Sequence, residues 1–225
     1  MPIRHEVKQG DSVISLSERH GHFAVTIWDD PANAELKKRR ENMNALMPGD
    51  PITIPDKRPK EVSKPATQRH TFRRKGIPAT LFLRLFNGQT ERANQDYTIK
   101  IEGQVRKGTT DATGLLNEFV PPKARSCTII IGPEKSEFEL LLGHMDPHDE
   151  ISGIQKRLTN LGFDCGEATG EMNAKTSGAI RNFQITFDLE PTGLPDEATV
   201  EAIRSQHDEQ CEFPPEESGQ TSTPP

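Results

Sequence analysis

The chain has 225 residues; 32% are hydrophobic and 5% aromatic, and 17 are glycine and 18 proline. That thin apolar content suits several small domains with exposed linkers better than one thick core. A formal charge of −6 and a pI near 5.7 count against a nucleic-acid protein, whose binding face would be basic.

The opening residues, MPIRHEVKQGDSV, hold no apolar core of a Sec-type signal peptide, and no apolar run is long enough to span a membrane. The expectation is a chain that is cytoplasmic as synthesised. Cys127, Cys165 and Cys211 form an odd set without pairing or metal spacing, which fits reduced thiols rather than a disulfide framework.

Residues 1–56 come first. Glu6-Val7-Lys8 is a short strand candidate, and Gln9-Gly10-Asp11-Ser12 is a turn in which Asp11 or Ser12 can cap a helix. Val13, Ile14 and Leu16 give that helix its apolar face as far as His20-Gly21. Ile27 and Trp28 begin a second apolar segment, where the indole reads as core rather than as a sugar-stacking ring. Lys37-Lys38-Arg39-Arg40 reads as a solvated helix face. Pro48-Gly49-Asp50 is a turn, and Pro51-Ile52-Thr53-Ile54-Pro55 a closing strand.

This β-α-α-β order, opening on V-K-x-G-D-S and closing on L-x-P-G-D-x-I-x-I-P, resembles the LysM domain. The matching residues are Val7, Gly10, Asp11, Ser12, Leu46, Pro48, Gly49, Asp50, Ile52, Ile54 and Pro55. The middle departs from that family: DDPANAELKKRRENMNAL is longer than its usual second helix and loop. The resemblance implies a shallow groove for N-acetylglucosamine-containing glycan between two loops. Here they are Gly10, Asp11, Ser12, Val13 and Ile14 on one side and Asn44, Ala45, Leu46 and Met47 on the other.

Residues 57–69, KRPKEVSKPATQR, are charged, proline-containing and without period, and read as a linker. Residues 70–143 read as strands. Leu81, Leu83 and Leu85 alternate with Phe82, Arg84 and Phe86, and Tyr97, Ile99 and Ile101 with Thr98, Lys100 and Glu102. Thr128 to Ile131 is β-branched throughout, and Phe138, Leu140 and Leu142 form a last alternating set. Asn87-Gly88 and Glu102-Gly103 are turns. The basic run Arg73-Arg74-Lys75 reads as a solvated edge. The stretch from Gly108 to Gly114, G-x-T-D-x-x-G, resembles a turn of small transthyretin-like or carboxypeptidase-regulatory β-sandwiches. There Asp111 would tie down the turn backbone and Gly114 supply a positive φ. The expectation is an antiparallel sandwich.

Residues 144–207 open on HMDPHDE, an interdomain joint in which Asp146 or Asp149 would cap a helix starting at Ile151. Ile151, Ile154, Leu158 and Leu161 recur three or four apart, the spacing of a buried helix face, and Gly162 follows where that helix would end. Ile180, Phe183 and Phe187 form a second stripe closing near Asp188. Thr192-Gly193 is a turn, and Asp196 is an N-cap ahead of Val200 and Ile203. The run DEISGIQKRLTNLGFDCGEATGEMNAKTSGAIRNFQITFDLEPTGLPDEATVEAIR resembles the three-helix peptidoglycan-binding domain type 1. Thr169-Gly170 stands where that family usually has Asp-Gly. The resemblance implies a ligand cleft at the first interhelical loop, with Asp164, Gly166, Glu167, Thr169 and Gly170. Glu167 and Glu171 bring negative charge there, which Lys175 can offset in part. Residues 208–225, acidic and proline-rich, read as a disordered tail.

The fold class is therefore α+β multidomain: a small βααβ LysM-like domain, an antiparallel β-sandwich and a three-helix peptidoglycan-binding-like domain. No reacting set for a zinc amidase, a cysteine peptidase or a lysozyme-type carboxylate pair stands out, so no catalytic residue, metal or cofactor is expected. The resemblances imply a non-catalytic peptidoglycan-binding protein. Their order resembles accessory proteins of type VI secretion and related contractile injection systems, which could deliver the chain to the periplasm or outside the cell. The other reading is an intracellular adaptor whose LysM-like and helical modules dock spike, baseplate or effector proteins. Neither reading involves nucleic acid or a membrane span.

Overall fold

The structure, a computed structural model, describes residues 1–57, 63–70, 79–88 and 90–208. Arg73-Arg74-Lys75, Cys211, part of the linker and residues 209–225 of the expected tail lie outside the described residues. What is described is a mixed α+β chain with six α-helices and several antiparallel sheets. Its buried apolar residues fall into three separate cores that follow one another along the chain. No helix among the described residues is long and apolar enough to cross a membrane.

In the first core β1 (Ile3–Glu6) pairs antiparallel with β2 (Pro51–Ile54), Ile3 opposite Ile54 and Glu6 opposite Pro51. The strand begins earlier than the Glu6-Val7-Lys8 reading. Val7 lies past the ladder, its N–H donating to Asp50 O and its carbonyl accepting from Gly49 N–H, and its side chain is buried. Ser12, not Asp11, caps α1 (Val13–His20), through a capping box with Ser15. The helix stops at Gly21, in the left-handed region at φ 68°. Ile27 and Trp28 close α2 (Ala24–Trp28) rather than begin it, and both are buried in this core.

The long middle segment folds as a 3-10 turn, Pro31–Asn33, capped by Asp30, and then α3 (Ala34–Arg40). Buried Asn33 ties it to the sheet: its amide donates to Ile27 O and Thr53 O and accepts from Thr53 N–H. Lys37, Lys38 and Arg39 are exposed on α3, as expected. Arg40 is buried, because its guanidinium forks onto Asp50 at 2.8 and 3.1 Å.

In the second core β3 (Ala79–Arg84) pairs with β8 (Leu115–Val120). A four-stranded sheet runs β10 (Ser136–Leu141), β9 (Ser126–Ile131), β6 (Asp96–Ile101), β7 (Gln104–Thr109), and β4 (Phe86–Asn87) pairs with β5 (Thr90–Glu91). All pairs are antiparallel. Tyr97, Ile99, Ile101, Ile129 and Ile131 of the larger sheet meet Leu116, Leu81 and Leu83 of the smaller pair in one core. Tyr97 crosses Gly108 of the neighbouring strand, where any Cβ would overlap the ring, and donates its hydroxyl to Glu118 across the two sheets at 2.9 Å. Asp111 Oδ1 accepts from Thr113 N–H, Thr113 Oγ1 and Leu115 N–H at 2.7–2.9 Å, and Gly114 follows at φ 74°. Phe138 departs from its alternation: it is exposed, with the Arg92 guanidinium 5.9 Å from the ring centroid.

The third core holds α4 (Ile151–Asn160), α5 (Ala174–Thr186) and α6 (Glu197–His207). Gly162 ends the first helical turn sequence at φ 92°, with Phe163 N–H returning to Leu158 O. Asn173 and Asp196 cap α5 and α6. Neither Asp146 nor Asp149 caps α4. Glu150 sits at its N-cap without a side-chain bond, while Asp146 is drawn to Lys156 Nζ at 2.5 Å.

Arg157, almost wholly buried, staples both ends of the third core. It donates to Asp146 O before α4 and to both carboxylate oxygens of Asp208 after α6. Asp208, just after α6, thus closes the helical core through its side chain.

The joint 144–150 passes against α4 at Gly153, where an added Cβ would overlap the Pro147 carbonyl oxygen. Gly153→Ala is expected to cost about 1–3 kcal/mol by forcing the joint off the helix. Urea unfolding followed by far-UV circular dichroism checks this; an unchanged helical transition would contradict it.

Candidate functional site

The first interhelical loop of the third core is held from beneath by one side chain. Gln155 has no solvent exposure; its Oε1 accepts from Gly170 N–H at 3.0 Å, and its Nε2 donates to Glu171 O and Thr176 Oγ1 at 3.0 and 2.8 Å. Two of these bonds satisfy loop backbone groups, the Gly170 N–H and the Glu171 carbonyl. Gln184 repeats the arrangement one helix later. Its Oε1 accepts from Gly193 N–H, and its Nε2 donates to Thr192 Oγ1, Leu194 O and Thr199 Oγ1.

The repeat is written in the sequence. Thr169-Gly170, Asn173 and Thr176 match Thr192-Gly193, Asp196 and Thr199, and the matching runs continue to Ala179-Ile180-Arg181 and Ala202-Ile203-Arg204. A Thr-Gly turn, an Asx cap and a buried Thr on the next helix thus form one unit used twice.

On that frame Asp164, Gly166, Glu167, Thr169 and Gly170 are all exposed and lie in one continuous loop. Gly166 N–H donates to Asp164 Oδ1 at 2.8 Å, and Lys175 pairs with Asp164 at 2.8 Å. Lys175 and then the Gly166 amide hold the Asp164 carboxyl below its usual range. Lys175 therefore neutralises Asp164 rather than Glu167 or Glu171, both of which remain exposed. Cys165 beside them is buried, and burial raises its thiol pKa above the usual value, so it points into the core.

The two loops of the N-terminal groove are placed differently. Gly10, Asp11, Ser12 and Val13 are buried, as are Ala45 and Leu46; Ile14 and Met47 are half-buried and Asn44 is exposed. Val13 N–H donates to Met43 O, which brings the loops together.

Asp11 is a hub of charge. Its carboxylate accepts from His5, Lys8 N–H, Arg19 and Arg125 at 3.0–3.2 Å. Burial alone would raise its pKa, but His5, Arg125, the Lys8 amide and Arg19 outweigh it and hold the carboxyl down to about 2. Gly10, at φ 82°, faces Arg125 and His144 closely, and Gly143 approaches the Gly10 carbonyl. Gln9 Nε2 donates to His144 Nδ1 at 3.3 Å. Burial, then the charges of Lys156 and Arg125, lower the His144 pKa. This turn is therefore covered by the chain's own later residues.

Arg125, His144, Arg40, Gln155 and Gln184 are the site-shaping residues that reading by motif missed. The paired Thr-Gly repeat was the available signal for the two glutamines; the charged contacts are long-range and leave no local pattern. The carboxylates of the HMDPHDE joint have partners: Asp146 with Lys156 and Glu150 with Arg40. Among the described residues, no group of three His, Cys, Asp or Glu side chains is placed to hold a metal ion.

Compared with known protein families, residues 147–203 match the family described as "Putative peptidoglycan binding domain". No curated protein and no solved structure matches the chain. The match spans α4, α5 and most of α6 and contains both glutamine-pinned loops.

Gln155→Ala should cost about 1–3 kcal/mol and remove the exchange protection of the Gly170 amide, since buried partners lose their bonds. A protected Gly170 amide in that variant would contradict the pin. Asp208 gives a second test. Burial would raise its pKa, but His207 and Arg157 hold it down to about 2. Both Asp11 and Asp208 therefore titrate below their unfolded value. Each contributes about 2 kcal/mol that is complete above pH about 4 and lost as pH falls towards 2. Asp208→Asn should flatten the acid dependence of the helical transition; an unchanged acid profile would count against the Arg157 staple.

Proposed function

We propose that this chain is a peptidoglycan-binding protein with no catalytic centre of its own. The observation that carries the reading is the family match over 147–203, on a stretch that folds as three helices around one core. In this reading the helical residues 144–207 are a peptidoglycan-binding domain whose contact surface is the loop at Asp164, Gly166, Glu167, Thr169 and Gly170. A pinned backbone with exposed side chains suits recognition, because little ordering entropy remains to oppose binding.

Residues 1–56 are proposed to be a LysM-like domain for N-acetylglucosamine-containing glycan, and 70–143 a transthyretin-like β-sandwich that spaces the two. Two antiparallel strands flanking a helical segment around one core support the first assignment, although α3 adds a third helix to the expected β-α-α-β order, and two antiparallel sheets sharing a core support the second. Two weak wall contacts on one chain reinforce each other through effective concentration. The order of the three resemblances supports a place among the accessory proteins of a type VI secretion or related contractile injection system, with delivery to the periplasm or outside the cell.

A second reading, an adaptor that docks spike, baseplate or effector proteins, is favoured by one observation. Gly10 and Asp11 of the turn lie against Arg125, and Gly10 also against His144, instead of facing open to a sugar chain.

Co-sedimentation of the full chain with purified sacculi tests the primary reading. The chain should pellet with sacculi, and Thr169→Glu with Gly166→Glu should weaken that several-fold by adding charge and strain to the loop, since glutamate at φ 75° is disfavoured. A chain that stays in the supernatant while an injection-system spike or baseplate protein co-purifies with it would favour the adaptor.

A further inference from the structure

The first apolar core shares no buried residue with the other two, and the hydrogen bonds and ion pairs that join it to them are polar throughout. Arg125 donates to Asp11 at 3.0 Å, Gln9 to His144 at 3.3 Å, and Arg40 to Glu150 at 2.9 Å. Asp149 lies 3.9 Å from Arg40, and Glu41 lies 3.9 Å from Arg204. On at least one side each of these ion pairs is well exposed: the Arg125 side chain is 43%, Glu150 40% and Glu41 61% accessible. Pairs exposed on one side are open to screening by salt, and a join made of them resembles a transient interface.

What the join covers is specific. Gly143 packs on the Gly10 carbonyl, and the Arg125 guanidinium and His144 ring stand where a Cβ of Gly10 would be. Arg125 also takes up one of the two oxygens of Asp11, which it shares with Arg19. Gly10 and one oxygen of Asp11 are thus met by side chains and backbone from 125–144.

We propose that this join is an autoinhibitory latch: docking of residues 1–57 onto 125–150 covers the turn at Gly10 and Asp11, and a glycan reaches it only when the polar contacts open. The proposal rests on the reading of that turn as one wall of a glycan groove. Opening leaves the three apolar cores intact and breaks salt-sensitive polar contacts, so a change in salt or a competing anionic surface shifts the balance. Affinity at the turn then scales with the open fraction of the chain.

The test uses the full chain, with Arg125→Glu and Glu150→Lys combined. Both residues lie outside the groove loops, and each reversal sets like charges together, at Asp11 and at Arg40. Arg125→Ala with Glu150→Ala provides a milder pair should the reversals impair folding, which far-UV circular dichroism reports. Small-angle scattering reads opening, and titration with an N-acetylglucosamine tetramer reads access.

The expected result is a larger radius of gyration and an affinity raised about five- to tenfold over the unsubstituted chain, the factor set by an open fraction near a tenth. Unsubstituted chain in about 0.5 M salt should move part of the way. An unchanged radius in both variants overturns the latch. An opened chain that binds the tetramer no better than the unsubstituted one overturns the cover and leaves the groove reading standing. An opened chain in which neither form binds removes the groove reading and the autoinhibition with it.

Discussion

Gln155 is shut off from solvent, and the single amide at its tip makes three hydrogen bonds to residues 170–176. A buried amide without partners costs more than most single apolar contacts provide, so the helix and the loop accept each other only in this register. The loop carrying Asp164, Gly166, Glu167, Thr169 and Gly170 is consequently a fixed surface on α4 and α5. Gln184 does the same for the loop at 192–194, and Thr176 and Thr199 complete the two sets from the helices that follow. Around them the apolar stripes of Ile154, Leu158, Ile180, Phe183 and Ile203 supply the burial that small helices need.

The same economy shapes the rest of the chain. Each core is small, and charged staples close what apolar area does not. Arg157 ties the entry and exit of the helices, Arg40 and Asp50 tie α3 to the β2 turn, and Tyr97 with Glu118 joins the two sheets. Between cores the contacts are of the same kind but more exposed. Inside a core, a buried and fully bonded charge fixes one geometry; between cores, the Arg40–Glu150 and Arg125–Asp11 pairs each have one buried and one exposed partner and are open to salt.

Local chemistry was readable from sequence and long-range chemistry was not. The Asp196 cap, the Asp111 turn, the stop at Gly162 and the faces of α4 to α6 follow from short patterns with a mechanism attached, and the structure has them at those residues. The capping choice between Asp11 and Ser12 was open because both satisfy the local rule. Ser12 takes the cap because Asp11 is drawn to cations as distant in sequence as Arg125, 114 residues away. Arg40 was read as solvated because a run of four basic residues usually is; one of the four turns inward to Asp50. Ala45 and Leu46 sit in a loop yet are buried, since the loop packs down onto the first core. Periodicity also passed over β7 and β8, whose apolar residues do not alternate. The glutamine pins were hidden by their polarity, although the repeated Thr-Gly turns pointed to them.

The central claim is that the pinned loop of the helical core is the surface that meets peptidoglycan. Amide chemical-shift mapping of the full, isotope-labelled chain with soluble muropeptide fragments tests it most directly. The account predicts perturbations concentrated at residues 164–171, with the Gln155 side-chain amide shifting alongside them because it bonds to Gly170 and Glu171. Perturbations confined to the second Thr-Gly turn or to the sheets, or none at concentrations that saturate sacculus binding, would contradict it.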